Sequence, residues 1–235
     1  MALTPIQHPS PNTEPRPPGI AIDHLVLHYT GMTSGAAALA RLCDPAAKVS
    51  AHYLVEEDGR LFQLVDDPVR AWHAGVARWR GAKNINARSI GVEIVNPGHE
   101  HGYRDFPDQQ MATVMALCQE LIARHPIPAE HIVGHSDIAP WRKEDPGERF
   151  PWPWLAQAGI GVWPSPKAHH QPVSVDDAPQ RLAQIGYLVE EPSTMMLATK
   201  AFQRRFRPTD ISGKLDHETR VLITACAELM PPIAA

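Results

Sequence analysis

The sequence predicts an α/β (α+β) fold: a mixed central β-sheet flanked by helices, followed by a small C-terminal three-helix domain. Between residues 20 and 163, short apolar and β-branched runs alternate with segments of helical periodicity, which is typical of a sheet with helices packed on it. The dipeptide Asp58-Gly59 lies between two of these runs and indicates an antiparallel hairpin within the sheet. Beyond residue 175 the patterns are helical only.

The first elements follow a proline-rich segment. Six prolines among the first eighteen residues predict an extended arm over residues 1–19. The apolar run over residues 22–29 predicts the first strand. Thr33 or Ser34 is then placed to cap a short, alanine-rich helix over residues 35–42.

The same kinds of pattern predict the remaining strands and the long helix of the sheet domain. Residues 51–65 predict the hairpin and residues 89–95 a third apolar strand. Asp108 is a candidate N-cap for a long amphipathic helix, and residues 130–134 predict a last short strand. The apolar residues of that helix recur at i, i+3, i+4 and i+7: Met111, Val114, Met115, Cys118, Leu121 and Ile122.

The composition changes after Trp163. Residues 164–175 contain three prolines and no periodicity, which indicates a linker. We therefore predict four segments, namely the arm, a domain over residues 20–163, the linker, and a helical domain over residues 176–235. The tail helices are predicted over residues 176–185, 193–206 and 216–230.

Composition and charge exclude some classes of protein. Of the 235 residues, 43% are hydrophobic, so a packed core is available. The 22 basic and 26 acidic residues give a net charge of −4, which excludes a strongly basic nucleic-acid surface, and no apolar run approaches the roughly 18 residues of a membrane span. The first residues show neither the basic nor the apolar part of a signal peptide. We expect a cytoplasmic protein, or a periplasmic one if a leader is missing from this sequence.

The three cysteines, Cys43, Cys118 and Cys226, form no Cys-x-x-Cys pair. An odd number of cysteines without metal-ligand spacing predicts buried free thiols in a reducing compartment. Cys118 fits this prediction because it falls on the apolar stripe of the long helix.

Two histidines at strand ends and one aspartate are candidate metal ligands. His28 ends the first predicted strand, His135 ends the last one, and Asp145 follows ten residues later. Two imidazoles and one carboxylate leave a fourth position open, as in a catalytic rather than a structural zinc site. His24 competes with His28 because residues four apart on a strand share a face. The alternative is that these histidines are merely polar residues at strand ends.

Four motifs in order carry a resemblance to a known family. They are His-Tyr-Thr at 28–30, Ala-Trp-His-Ala-Gly at 71–75, Ser-Ile-Gly-Val-Glu-Ile at 89–94, and Gly-His-Ser-Asp-Ile-Ala-Pro with Arg-Lys-Glu-Asp-Pro-Gly within 134–147. Together they resemble the type 2 N-acetylmuramoyl-L-alanine amidases, the zinc family that includes AmpD and AmiD. The resemblance implies hydrolysis of the amide between N-acetylmuramic acid and L-alanine of the stem peptide, in cell-wall recycling, with muropeptides or peptidoglycan as the substrate.

The resemblance also implies roles for particular residues. His28, His135 and Asp145 would bind one catalytic Zn²⁺ ion. Glu93 matches the catalytic glutamate. A carboxylate on an otherwise apolar strand is costly to bury unless it has a hydrogen-bonding partner or a catalytic role. Lys143 matches a lysine near the bound carbonyl; in an extended segment it points to the same side as Asp145, so its ammonium group would stabilise the oxyanion.

Five residues are candidates for substrate binding. Tyr53, Trp72 and His73 are candidates for the groove, as is the neighbouring His52, and Asn86 would contact the stem peptide by analogy with the family. Each has an alternative role in the interior of the sheet.

The tail has a resemblance of its own. Residues 181–187, 199–206 and 213–219 resemble the three-helix peptidoglycan-binding domain, although only Gly213 remains of its Gly-x-x-Gly turn. The alternative is a helical cap packed on the amidase domain. For the whole chain, the alternative to the enzyme is a peptidoglycan-recognition protein that binds without cutting. Such proteins lose a zinc ligand, whereas this chain keeps all three.

Overall fold

Residues 3–233, which the computed structural model describes, form eight strands, eight α-helices and two short 3-10 helices. The strands are β1 Ile6–Gln7, β2 Thr13–Pro15, β3 His24–Tyr29, β4 Tyr53–Val55, β5 Leu61–Gln63, β6 Val69–Ala71, β7 Ser89–Ile94 and β8 Ile132–Gly134. The α-helices are α1 Gly35–Leu42, α2 Ile85–Arg88, α3 Asp108–Arg124, α4 His135–Ile138, α5 Trp152–Gln157, α6 Ala178–Ile185, α7 Pro192–Phe206 and α8 His217–Leu229. Within this part of the chain, no helix combines the length and the apolar character that crossing a membrane requires.

Six strands form one mixed sheet, which confirms the predicted fold class. Their order is β1-β5-β4-β7-β3-β8. Strand β7 pairs in parallel with β3 and β4, and β3 pairs in parallel with β8. The predicted hairpin is present, since β4 and β5 are antiparallel. Strands β2 and β6 form a separate antiparallel pair.

Strand β3 determines where the polar site lies. Its Leu27 packs in the core that contains α3, whereas Val26 belongs to a second core on the opposite face of the sheet. His28 follows Val26 by two residues and therefore points to that second face. Because His28 pairs with Glu93 and Leu27 pairs with Gly134, the carboxyl ends of β3, β7 and β8 meet at one edge. Binding sites in α/β sheets commonly form at such an edge.

Helix α3 buries one side against this sheet, as its periodicity predicts. Met111, Val114, Cys118 and Leu121 are buried, together with Leu117. Asp108 was predicted as the N-cap but is the first residue of the helix. Pro107 occupies the N-cap position instead. At α1, the structure selects Ser34 over Thr33, because the Ser34 side chain accepts a hydrogen bond from the Ala37 N–H at 3.2 Å.

We expect Leu121→Ala to lower the free energy of unfolding by about 2–5 kcal/mol, because the side chain is fully buried and its removal leaves a cavity. Urea unfolding measures the change. Gln119→Ala, on the exposed side of the same helix, is the control and should change stability by less than about 0.5 kcal/mol. Equal effects of the two variants would contradict this packing.

The N-terminal arm is extended and pairs with the rest of the domain. Strand β1 lies parallel to β5, and β2 lies antiparallel to β6. Arg16 anchors the end of the arm, because its guanidinium donates to the backbone carbonyls of Asp67, Asn86, Ala87 and Ser89 at 2.8–3.1 Å. Strands of two or three residues carry too little alternation to be predicted from sequence.

The tail helices pack directly on the sheet domain. Trp79 and Ile85 share one buried cluster with Phe202 of α7 and Ile223 of α8. Arg80 adds hydrogen bonds from its guanidinium to three backbone carbonyls of the tail, those of Gln184, Ile185 and Pro231. The division into separable domains stays a prediction, whereas the contact between the two parts is extensive.

All three cysteines are free. Cys118 and Cys226 are buried, as predicted, and burial raises the pKa of each thiol to about 12. Cys43 is only half-buried; it is the C-cap residue that follows α1.

Candidate active site

Three buried side chains converge where β3 and β8 end. His28 is the fifth residue of β3, and His135 is the first residue of α4, directly after β8. Asp145 lies in the loop that follows α4, and its backbone carbonyl accepts a hydrogen bond from the Ser136 N–H at 2.8 Å. This bond ties the loop to the first turn of α4, so the side chains of His135 and Asp145 are held next to each other.

The three candidate ligand atoms form a nearly equilateral triangle. His28 Nδ1 lies 3.0 Å from His135 Nδ1 and 2.9 Å from Asp145 Oδ2, and the third side measures 3.1 Å. The side chains are deeply buried, with exposed fractions of 2%, 3% and 8%. In a tetrahedral zinc site with bonds near 2.0–2.1 Å, ligand atoms lie roughly 3.3 Å apart. The triangle is therefore close to one face of such a site.

The Nε2 atom of His135 has two neighbours on the side away from the triangle. It lies 3.2 Å from the Ala74 carbonyl oxygen, which only accepts hydrogen bonds, and 3.3 Å from Arg142 Nη2, which only donates them. In the tautomer that donates from Nε2 to Ala74, Nδ1 presents its lone pair to the triangle.

A chain of three hydrogen bonds leaves the Nδ1 lone pair of His28 facing the triangle. The Ser89 hydroxyl donates to the Ile85 carbonyl oxygen at 2.7 Å, so its oxygen accepts from His73 Nε2 at 3.1 Å. His73 Nδ1 then accepts from His28 Nε2 at 3.1 Å, which leaves the lone pair of His28 Nδ1 inside the triangle. Gly91 makes room for this chain, since a Cβ there would lie 2.4 Å from the His73 ring.

The donor set fits a metal cation. Two imidazole lone pairs and a carboxylate oxygen about 3 Å apart repel one another unless a positive charge lies between them. Burial and the neighbouring His135 lower the pKa of His28 to about 4, so the ring is neutral, as a ligand must be. Although burial opposes it, contact with His135 and His28 lowers the pKa of Asp145 well below its usual range. The described residues around the triangle could thus hold a divalent ion.

Glu93 lies beside the triangle on β7, opposite His28 in the strand register. Its Oε2 atom is buried and finds no hydrogen-bond partner among residues 3–233. Burial, and then the Asp145 carboxylate, raise the pKa of Glu93 to about 8, while Lys143 opposes this shift. A carboxylate in this position has a free oxygen and a proton affinity suited to proton transfer near neutral pH.

A groove of about 580 Å³ runs past these residues. Glu93 and Lys143 both line it, as do His28, His135 and Asp145, so the structure brings all five together. The outer walls include Met32, Arg41, Trp72, Pro97, Glu100 and Arg142. Of the predicted substrate-binding residues, Trp72 and His73 reach the groove.

The structure places Tyr53, Asn86 and His52 outside the lining of this groove. Tyr53 pairs with Val92 and lies on the opposite face of the sheet, where its hydroxyl donates to Asp67 Oδ1 at 2.7 Å. Asn86 is buried, and its side-chain oxygen accepts hydrogen bonds from the backbone N–H groups of the 73–74 segment. His52 is fully buried and bonds only to backbone atoms and Arg16. None of the three lines the groove.

His24 packs at the far end of β3, away from the triangle. Its Nδ1 atom lies 2.6 Å from Asp23 Oδ1, and its ring stacks on His131 with centroids 4.2 Å apart. Sequence reasoning also missed Ser89 and Gly91, although both lie in the same strand motif as Glu93. Their roles depend on the ring of His73, which belongs to a different motif.

Comparisons with known proteins agree with this geometry. The family profile for N-acetylmuramoyl-L-alanine amidases matches residues 18–148. The chain is 39% identical over 228 residues to the N-acetylmuramoyl-L-alanine amidase AmiD of Escherichia coli K12, covering 87% of this chain and 82% of AmiD.

Two solved structures are similar over nearly the whole chain. The E. coli AmiD structure, a complex with the substrate anhydro-N-acetylmuramic acid-L-Ala-D-γ-Glu-L-Lys, has a TM-score of 0.78 at 38% identity and covers 88% of this chain and 89% of AmiD. AmpDh3 of Pseudomonas aeruginosa has a TM-score of 0.82 at 31% identity, covering 93% of this chain and 97% of AmpDh3. Both similarities extend beyond residue 163 into the tail helices.

Proposed function

The chain belongs to the N-acetylmuramoyl-L-alanine amidase family, and from this premise we propose that it is a zinc-dependent hydrolase of the amide between N-acetylmuramic acid and L-alanine in muropeptides. The observation that carries the proposal is the triangle of His28 Nδ1, His135 Nδ1 and Asp145 Oδ2 beside the unpartnered Glu93 oxygen. A structural metal site needs no such oxygen, whereas a hydrolase does.

His28, His135 and Asp145 would hold the zinc ion. When bound, zinc supplies a Lewis acid that polarises the scissile carbonyl and lowers the pKa of water toward neutrality. Glu93 takes the proton of the attacking water through its free oxygen and returns it to the leaving L-alanine nitrogen. Burial raises the pKa of Glu93 to about 8, so its carboxyl group can both take up and release a proton near neutral pH.

Lys143 lines the same groove as Glu93 and the three proposed ligands. Its ammonium stabilises the negative charge that develops on the carbonyl oxygen during attack. The neutral His73 supports His28 instead of contacting the reacting atoms, because burial and the surrounding histidines lower its pKa well below the usual value.

A relative solved together with its substrate supports a proposal for the substrate class. AmiD of E. coli was solved with an anhydro-muramyl tripeptide, and we propose that this chain accepts muropeptides of the same class, in cell-wall recycling. On the sequence expectation alone we propose the cytoplasm as the compartment, which fractionation of the host cells tests. Muropeptides rather than nucleic acids are the proposed partners, in keeping with a net charge of −4.

Metal analysis combined with turnover tests the proposal. We expect one zinc per chain by elemental mass spectrometry, loss of muropeptide hydrolysis on chelation, and recovery on adding zinc. A recognition protein without activity is the alternative, and zinc-loaded protein that binds muropeptide without turning it over would establish it. The unpartnered Glu93 oxygen favours the enzyme.

The hydrogen-bond chain behind His28 leads to a separate prediction. His73→Phe keeps a ring but removes the acceptor for His28 Nε2, so we expect zinc affinity to fall by about 10–100-fold. Ser89→Ala removes the partner that orients His73 and should have a smaller effect in the same direction. Chelator competition measures both.

Trp72→Phe is the control, because Trp72 precedes His73 but its indole nitrogen donates to Glu14 at 3.0 Å instead of to the triangle. Its zinc affinity should equal that of the unmodified chain. Unchanged affinity in His73→Phe would show that the ring packs beside His28 without orienting it.

A further inference from the structure

The tail helices place two buried polar side chains against the segment that carries His135. The Tyr187 hydroxyl donates to Asp137 Oδ1 at 2.7 Å, and Arg205 Nη1 of α7 donates to Asp137 Oδ2 at 2.7 Å. The side chains of Asp137 and Arg205 are 1% and 5% exposed. Asp137 follows His135 by two residues, so the tail contacts the start of α4 directly.

Asp137 connects this contact to the backbone on either side of His135. Its Oδ2 atom also accepts the Gly134 N–H at 2.8 Å, closing the turn in which His135 lies. Arg205 Nη2 donates to the Ile132 carbonyl oxygen at 3.1 Å, at the start of β8. One guanidinium from the tail therefore holds both β8 and the first turn of α4.

The surroundings leave the Arg205 side chain little freedom. Its guanidinium carbon lies 4.0 Å from the centre of the Trp152 ring and 5.0 Å from that of Phe206. A second arginine, Arg204, donates to Glu144 at 2.9 Å, immediately before Asp145. Because Glu144 is about half exposed, solvent weakens this second pair, and Arg205 makes the stronger contact.

Packing of the tail against the rest of the chain does not by itself require this buried polar cluster. A buried ion pair gains little over an apolar contact of the same size, because desolvating the two charges offsets most of their attraction. Directed hydrogen bonds, however, fix the position of the Asp137 carboxylate, which apolar packing does not. This polar cluster lies at a place in the interface where a small displacement would move a proposed zinc ligand.

We propose that Tyr187 and Arg205 are positioning residues for the zinc site, and that the tail holds His135 in place through Asp137. This inference rests on the proposed function, since it assumes that His135 is a zinc ligand. It assigns the tail a role in the amidase site itself, whether or not the tail also binds glycan.

Zinc affinity of the full-length chain tests the inference. Tyr187→Phe removes only the hydroxyl, and we expect zinc affinity to fall about 10-fold. Arg205→Lys keeps the charge but loses the paired bonds to Asp137 and Ile132, and we expect a fall of about 10–100-fold. Chelator competition gives the affinity, and thermal unfolding of the zinc-free protein gives the stability. At saturating zinc, kcat should recover in Tyr187→Phe.

Arg80→Lys is the matched control. Arg80 is also a buried guanidinium bonded to backbone carbonyls across the same interface, but it contacts Gln184, Ile185 and Pro231 instead of Asp137. We expect it to lower the melting temperature and leave zinc affinity unchanged.

If Tyr187→Phe and Arg205→Lys keep full zinc affinity, or lose no more than Arg80→Lys, the tail acts only as a stabilising partner and the inference is overturned. If Arg205→Lys fails to fold, the zinc affinity of Tyr187→Phe alone tests the inference. An unmodified chain that binds no zinc would instead overturn the proposed function, so the two failures are distinguishable.

Discussion

His28→Ala, His135→Ala and Asp145→Ala are each expected to abolish zinc binding and muropeptide hydrolysis together. The triangle contains only three protein ligands, and an open site that loses one of them retains too little coordination to hold the ion. Elemental analysis of the purified variants measures bound zinc, and a turnover assay is run on the same samples.

His101→Ala is the control for these variants. His101 is an exposed histidine in the 3-10 helix His99–His101 and is not part of the triangle, so the variant should keep both zinc and activity. Full zinc content in any one of the three triangle variants would remove that residue from the ligand set.

Glu93→Gln is expected to keep its zinc and to lose roughly 10²–10⁴-fold in turnover, the usual contribution of a positioned acid-base group. Glutamine has nearly the same shape but does not take up the proton. The variant should therefore keep zinc and substrate binding and lose catalysis. Lys143→Ala should likewise retain zinc and lose roughly 10²–10³-fold, because the charge that stabilises the oxyanion is gone.

Steady-state kinetics on metal-matched samples measure both losses. In Glu93→Gln the decrease should lie in kcat, with the KM for muropeptide little changed. Turnover like that of the unmodified chain would assign proton transfer to another group, and loss of zinc in the same variant would mean that Glu93 supports the triangle instead.

The triangle was predictable because His28 and His135 stand at the ends of predicted strands and Asp145 follows His135 by ten residues in a recognisable motif. Once parallel pairing of β3 with β7 and β8 is expected, His28, Glu93 and His135 must meet at one edge of the sheet. The long helix and the hairpin were predictable for a similar reason, since periodicity and Asp58-Gly59 are local signals.

The second layer around the ligands was not predictable, because it depends on register and on contacts between distant segments. One residue of register decides that Tyr53 faces α3 rather than the groove. The role of His73 requires both Ser89 and the space left by Gly91. No local pattern shows that Arg205, 70 residues after His135, bonds to the turn that holds it.

The measurement that tests the central claim most directly is mass spectrometry of the products formed from an anhydro-muramyl tripeptide in ¹⁸O-labelled water. We predict that the zinc-loaded chain releases the intact tripeptide with a free L-alanine amino group, and that one ¹⁸O enters the lactyl carboxylate on the sugar. Glu93→Gln should form far less of both products. Cleavage between two residues of the stem peptide, or label in the peptide instead of the sugar, would contradict the proposed reaction.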